Sequence, residues 1–132
     1  MAEENILLGL HVTLILELLS SRLRKRGFQV TTAQNLDGML QAMGLQPDNM
    51  SDKIPRNPFT KYLMDLNLGH TRSLDYAPSL RVYNLVRPYV ENGEARFLGI
   101  SLNYRTVELA QEAGIPSGPG TIDTINEFLG LR

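Results

Sequence analysis

Asp65 closes the apolar segment Lys61-Tyr62-Leu63-Met64-Asp65-Leu66-Asn67-Leu68-Gly69. A single carboxylate at the end of a buried strand is well placed for chemistry, because open α/β sheets bind their ligands beyond the carboxyl ends of the strands. Its expected neighbours come from a first apolar strand, Ile6-Leu7-Leu8-Gly9, which runs into Leu10 and His11. A site for a hard metal would want acids there; Leu10 has no side-chain oxygen, and His11 offers a nitrogen suited to softer metals. His11 and Asp65 are therefore weak candidates for a transition-metal pair. The preferred reading of His11 is a polar residue satisfied by a backbone carbonyl. Ser101 ends another apolar run, Arg96-Phe97-Leu98-Gly99-Ile100-Ser101, and with Asn103 and Thr106 is of a type that caps helices. No lysine occurs after Lys61, so the C-terminal half of the chain has no flexible ammonium to offer a bound anion.

The elements that must position these residues alternate in type. Ile6–Gly9 has the continuous apolar character of a buried parallel strand. A helix is expected from Thr13 to Arg26, with Leu16, Leu19 and Leu23 on one face and Ile15 and Leu18 beside them, closed by Gly27. Phe28 to Thr32 alternates and is β-branched, a second strand. Asn35 caps a helix carrying Leu36, Met39, Leu40 and Met43, which ends at Gly44. Leu45 to Thr60 lacks periodicity and holds Pro47, Pro55 and Pro58, so a long loop is expected, either functional or mobile.

After the Asp65 strand, a loop from Gly69 to Tyr76 leads to Pro78 at the first position of a helix carrying Val82, Leu85, Val86 and Tyr89, which Pro88 kinks or ends. The Ser101 strand follows, then a helix from Thr106 to Ala113. Ile115-Pro116-Ser117 reads as the stub of a fifth strand and Gly118-Pro119-Gly120 as a turn. Thr121 or Asp123 starts a last helix with Ile122, Ile125, Phe128 and Leu129. Five strand–helix units predict an α/β fold: a parallel five-stranded sheet covered on both faces, a three-layer, doubly wound sandwich. Residues 1–132 are read as a single domain.

Several function classes find no support. The net charge of −1 gives no basis for a broad nucleic-acid-binding surface. The cluster Arg22, Arg24, Lys25 and Arg26 is read as cations complementing a helix C-terminus. Without cysteine there is no disulfide framework or thiolate zinc site. The acidic start, Glu3 and Glu4, and the interruption of the first apolar run by His11 and Thr13 do not suit a signal peptide. No stretch approaches the ~20 apolar residues of a membrane span. A soluble cytoplasmic protein is expected. There is no Gly-x-Gly-x-x-Gly after the first strand, no Walker-type Gly-Lys-Ser and no Gly-x-Ser-x-Gly.

Over nearly its whole length the chain resembles the receiver domains of bacterial response regulators. The opening Ile6 to Leu19, the strand Met64-Asp65-Leu66-Asn67-Leu68, the strand end Ile100-Ser101 and the segment Gly114-Ile115-Pro116 with Gly118-Pro119 carry the resemblance. It implies a flavodoxin-like strand order 2-1-3-4-5, with Asp65 as the phospho-acceptor position and Ser101 as the switch hydroxyl. It also implies that Leu10 and His11 stand where the family has two acids, and Gly118 where it has a lysine. The loops flanking the Asp65 strand look longer than the family norm.

A receiver handles phosphoryl transfer with Mg²⁺ and a cation, and both provisions are degraded here. Mg²⁺ binding is expected to be weak or absent. The expected function is that of an atypical, stand-alone, pseudo-receiver-like response regulator in two-component phosphorelay signalling. It would be phosphorylated weakly or not at all, would not be an enzyme, and would act by protein contact. Partners implied are a histidine kinase, a phosphotransfer protein or a downstream target, and residues 106–131 are the implied contact or homodimer face. The loop Leu45–Thr60 is a second candidate recognition element. The alternative is a flavodoxin-like small-molecule or nucleotide-binding protein, for which His11-Val12-Thr13 makes a poor phosphate loop.

Overall fold

Ile6, Leu7 and Leu8 are fully inaccessible to solvent, and so are Tyr62, Leu63 and Met64. Consecutive buried residues on two strands require apolar cover on both faces of a sheet, and a computed structural model of the chain supplies it. It describes residues 4–46, 51, 53–68 and 75–131. The order is β1 (Asn5–Gly9), α1 (Thr13–Lys25), β2 (Gln29–Ala33), α2 (Leu36–Ala42), β3 (Lys61–Asp65), α3 (Ala77–Glu91), β4 (Arg96–Ser101), α4 (Tyr104–Glu112), β5 (Ser117–Pro119) and α5 (Ile122–Leu129). The strands form one parallel sheet in the order β2-β1-β3-β4-β5, the expected flavodoxin-like arrangement.

Strand alternation splits the core in two. Leu7, Tyr62, Met64 and Phe97 face α2, α3 and α4, where Met39, Val82, Leu85, Val86 and Val107 cover them. Ile6, Leu8, Leu63 and Ile100 face α1 and α5, where Leu16, Leu19, Leu23, Ile125, Phe128 and Leu129 complete the second core. Arg22 donates to Asn126 and Arg26 to the carbonyls of Gly130 and Leu131, so α1 and α5 are tied side by side. The basic cluster thus serves a second helix's carboxyl end as well as its own.

Local signals explain the ends of the elements. The Asn35 side chain accepts from the Gly38 N–H, and Asn103 accepts from Arg105 and Thr106. The latter cap starts α4 two residues before the expected Thr106. Thr121 caps α5, which closes on Gly130 at φ 74°, a conformation glycine adopts without a Cβ penalty.

Two expectations are corrected and one pair of alternatives is narrowed. Gly118 and Pro119 are not a turn: with Ser117 they form β5, paired with Gly99, Ile100 and Ser101. Only an edge strand tolerates the missing proline N–H, and β5 is an edge. Ile115, expected to begin that strand, instead donates its N–H to the Ala110 carbonyl and closes α4. Pro88 does not end α3, which continues to Glu91. The Asn84 carbonyl it leaves without an intrahelical donor lies on the exposed side, where water can serve it.

Of the loop 45–60, residues 47–50 and 52 lie outside the described residues, as do 69–74 of the loop after β3. The remainder of the first loop contributes Ile54 and Phe59 to the core beside Tyr62. Among the described residues no helix is long and apolar enough to cross a membrane.

Candidate functional site

Sheet register brings the candidate residues together. Gly9 pairs with Met64, so His11, two residues beyond the end of β1, arrives beside Asp65 at the end of β3. Asp65 pairs with Ile100 and Ile100 with Gly118, which places Asp65, Ile100 and Gly118 in one row across three strands. Ser101 lies one step past that row.

The carboxylate is engaged from within the chain. The His11 backbone N–H donates to Asp65 Oδ2 at 2.9 Å, and the His11 ring Nδ1 lies 2.5 Å from the same oxygen. An ionised carboxylate only accepts, so this contact assigns the donor role to the Nδ1–H tautomer. The Asp65 side chain is 16% exposed and that of His11 61%, so the ring covers the carboxylate from the solvent side. The expectation that His11 is satisfied by a backbone carbonyl is therefore corrected. Two residues past β1, the imidazole meets the strand-end acid of β3 instead.

Leu10, at the other position of the expected acid pair, is buried in the α1–α5 core. A Cβ on Gly118 would meet Thr124 and Leu98, so this position faces α5 and presents no cation. The Ser101 hydroxyl accepts from the Asn103 N–H at 3.0 Å, which turns the chain into the Asn103 cap of α4. Among the described residues no three His, Cys, Asp or Glu side chains gather as a metal site. Mg²⁺ favours near-octahedral oxygen coordination; a leucine, an imidazole and one carboxylate already bonded to that imidazole do not fit it.

Beside the pair lies a cavity of about 300 Å³ at the carboxyl ends of β1, β3 and β4. Leu10, Val12, Ile15, Ile100, Leu102 and Ile125 form its apolar wall; His11, Asp65, Asn67, Ser101 and Asn103 are its polar members. Its apolar character was not anticipated from the sequence. The available signal was the absence of charge from Leu10, Val12, Ile15 and Leu102, residues that flank the strand ends. Also unanticipated is a set of exposed apolar side chains on α1 and on the segments around α4 and α5. Leu14 is 65% and Leu18 57% exposed, and Leu102, Tyr104 and Ile122 project from neighbouring segments.

No protein-family model and no curated protein sequence matches the chain. Solved structures do. A response regulator from Burkholderia pseudomallei, determined with a phosphorylated aspartic acid, calcium ion and citrate, is 22% identical with a TM-score of 0.60; the match covers 96% of this chain and 66% of that one. The receiver domain of a Pseudomonas aeruginosa PAO1 sensor histidine kinase, with magnesium coordinated in its active-site cleft, is 15% identical with a TM-score of 0.61, covering 98% of this chain and 99% of that one. The third is a Saccharomyces cerevisiae co-crystal of the histidine phosphotransfer protein Ypd1 with the receiver domain of its downstream response regulator Ssk1. The match is 14% identical with a TM-score of 0.60, over 98% of this chain and 90% of that one. The chain thus has the fold of response regulator receiver domains.

Proposed function

We propose that this protein is a receiver-fold signalling module that acts through protein contact rather than through phosphorylation of Asp65. The observation that carries this reading is the double engagement of Asp65 Oδ2 by His11. Besides an attacking oxygen, which Oδ1 still offers, phosphoryl transfer needs a metal to gather the incoming phosphoryl oxygens and a cation to offset the developing charge. Leu10 and His11 replace the acids that would hold the metal, and Gly118 stands in place of the cation. Electrostatic stabilisation is usually the largest catalytic contribution, and losing one donor costs about 3 kcal/mol, roughly a hundredfold in rate. Two such losses leave phosphoryl transfer very slow. Asp65 and Ser101 are on this reading retained positions of a receiver site whose chemistry has lapsed, and the protein is not an enzyme.

The partner proposed is a histidine kinase, a phosphotransfer protein or a downstream target; the yeast complex, in which a receiver domain is held by a phosphotransfer protein, supports this class. The contact surface favoured is the amino-terminal half of α1. Leu14 and Leu18 are largely exposed there, on the helix that supplies Ile15 to the cavity wall. Contact or dimerisation through 106–131 is the less favoured surface, because its exposed side chains include Gln111, Glu112, Asp123 and Glu127. A flavin or nucleotide has less support, since no lysine or arginine is among the described residues lining the cavity to receive its phosphate.

The direct test is incubation with Mg²⁺ and acetyl phosphate, followed by mass spectrometry of the intact chain. No phosphoryl adduct is expected over hours; rapid, Mg²⁺-dependent labelling of Asp65 would overturn the proposal.

A further inference from the structure

We infer that the cavity beside Asp65 binds an apolar organic cation, a hydrocarbon body of about two fused rings carrying one ammonium or amidinium group. The inference rests on the preceding reading that Asp65 is not a working phospho-acceptor, and it assigns that same site a ligand class.

Size comes first. An apolar cavity of ~150 Å³ accommodates benzene, so about 300 Å³ suits a body roughly twice as large. The wall chemistry comes second. Val12, Ile15, Leu102 and Ile125 offer dispersion contacts and no hydrogen bonds, which favours an apolar body.

Charge decides the polar end. Asp65 is the only acidic residue among the described lining residues, and none of them is lysine or arginine. Both donors from His11 fall on Oδ2. Among the described residues Oδ1 receives none, and the carboxylate is largely buried. A mostly covered carboxylate whose second oxygen has no donor from the described residues and reaches solvent gains from a cationic donor, whereas a carboxylate or phosphate ligand would meet like charge there. An ammonium placed against Oδ1 completes the carboxylate without displacing His11, and its apolar body then lies along Ile15 and Ile125 of α1 and α5. This polarity is the reverse of that required by a phosphoryl group.

The experiment is amide NMR of the full chain titrated in parallel with naphthylmethylammonium, naphthylmethanol and naphthoate, three probes of similar shape and different charge. Expected are shifts at His11, Val12, Asp65 and residues 101–103, with the ammonium binding about tenfold more tightly than the alcohol, equivalent to ~1.4 kcal/mol, and the acid binding least. Asp65→Asn should bring ammonium and alcohol to similar affinity. Ile15→Trp, at a half-exposed position, should fill the mouth and weaken both. Equal affinity for ammonium and alcohol in the parent, preference for the acid, or no shift with any probe overturns the inference. A parallel titration with Mg²⁺ and beryllofluoride separates the two failures. An unchanged spectrum there together with no naphthyl binding removes the ligand class alone, whereas a response to beryllofluoride removes the reading of Asp65 on which it rests.

Discussion

Replacing His11 with alanine removes the ring Nδ1 contact to Asp65 but leaves the backbone N–H bond to the same oxygen. Hydrogen bonds to charged groups are worth ~1.5–3 kcal/mol when well sheltered. The imidazole is 61% exposed, so water competes for both partners, and the expected contribution falls to about 1 kcal/mol. Asp65→Asn keeps the shape and an acceptor oxygen while removing the charge that strengthens the contact. The two single variants and the double variant form a cycle whose coupling energy isolates the pair. Urea unfolding at neutral pH should give a coupling of about 1 kcal/mol, and His11→Ala alone should lower Tm by roughly 3–5 °C. A coupling below about 0.3 kcal/mol, the additivity expected of independent sites, would refute the claim that His11 occupies the carboxylate. The His11→Ala variant should also remain unreactive toward acetyl phosphate, because freeing the oxygen restores neither a metal ligand nor a cation.

Other expectations concern the frame of the site. Burial pushes the Tyr62 phenol well above its ordinary value near ~10, and its hydroxyl bonds Asn57 Oδ1 at 2.5 Å. The folded state therefore holds this proton more tightly than the unfolded state, so the stability it contributes is complete below pH ~10 and declines as pH rises beyond it. Tyr62→Phe should cost about 1 kcal/mol at neutral pH and flatten that alkaline decline in urea-unfolding measurements. Lys61 is buried at the start of β3, with its ammonium 3.4 Å from the Leu129 carbonyl and 3.3 Å from Glu4. Lys61→Met should cost ~1–3 kcal/mol by leaving the end of α5 unpaired, read as faster amide exchange in α5. On α1, Leu14→Ser and Leu18→Ser should change stability by no more than about 0.5 kcal/mol yet weaken partner binding measured by calorimetry with a phosphotransfer protein. Leu19→Ala, in the core, should cost ~2–5 kcal/mol.

The fold was legible because its signals are local and repeated. Buried apolar runs gave β1, β3 and β4; Asn35 marked one helix start, and of the two starts offered for the last helix, Thr121 and Asp123, the first is the cap; the spacing of Leu16, Leu19 and Leu23 identified the buried face of α1. β5 was misread because Gly118 and Pro119 carry turn chemistry, and only pairing with β4, a tertiary contact, makes them a strand. Of the two alternatives for Pro88, kinking or ending α3, the helix end is excluded, because the cost of an interior proline falls when the orphaned carbonyl can reach water. At the site, the positions of Asp65, His11 and Ser101, and the nearness of His11 to Asp65, could be anticipated from the strand ends, but the direct contact of the imidazole with the carboxylate was not the preferred reading, since it depends on the register of β1 against β3. The apolar cavity depends on residues from the segment after β1, from β3 and β4 and from two helices meeting in space, which no local pattern encodes. Leu14 and Leu18 were equally hard to read: leucines beside a buried stripe look like core until the sheet and α5 show which face is covered.

The central claim is that Asp65 is held by its own chain and does not act as a phosphoryl switch. It is tested most directly by amide NMR of the chain titrated with Mg²⁺ and then beryllofluoride, which mimics a phosphoryl group on aspartate. The account predicts that the resonances of His11, Asp65 and Ser101, and those of α4, β5 and α5, stay in place through both additions. Shifts that start at Asp65 and spread through Ser101 into residues 106–131 would contradict it.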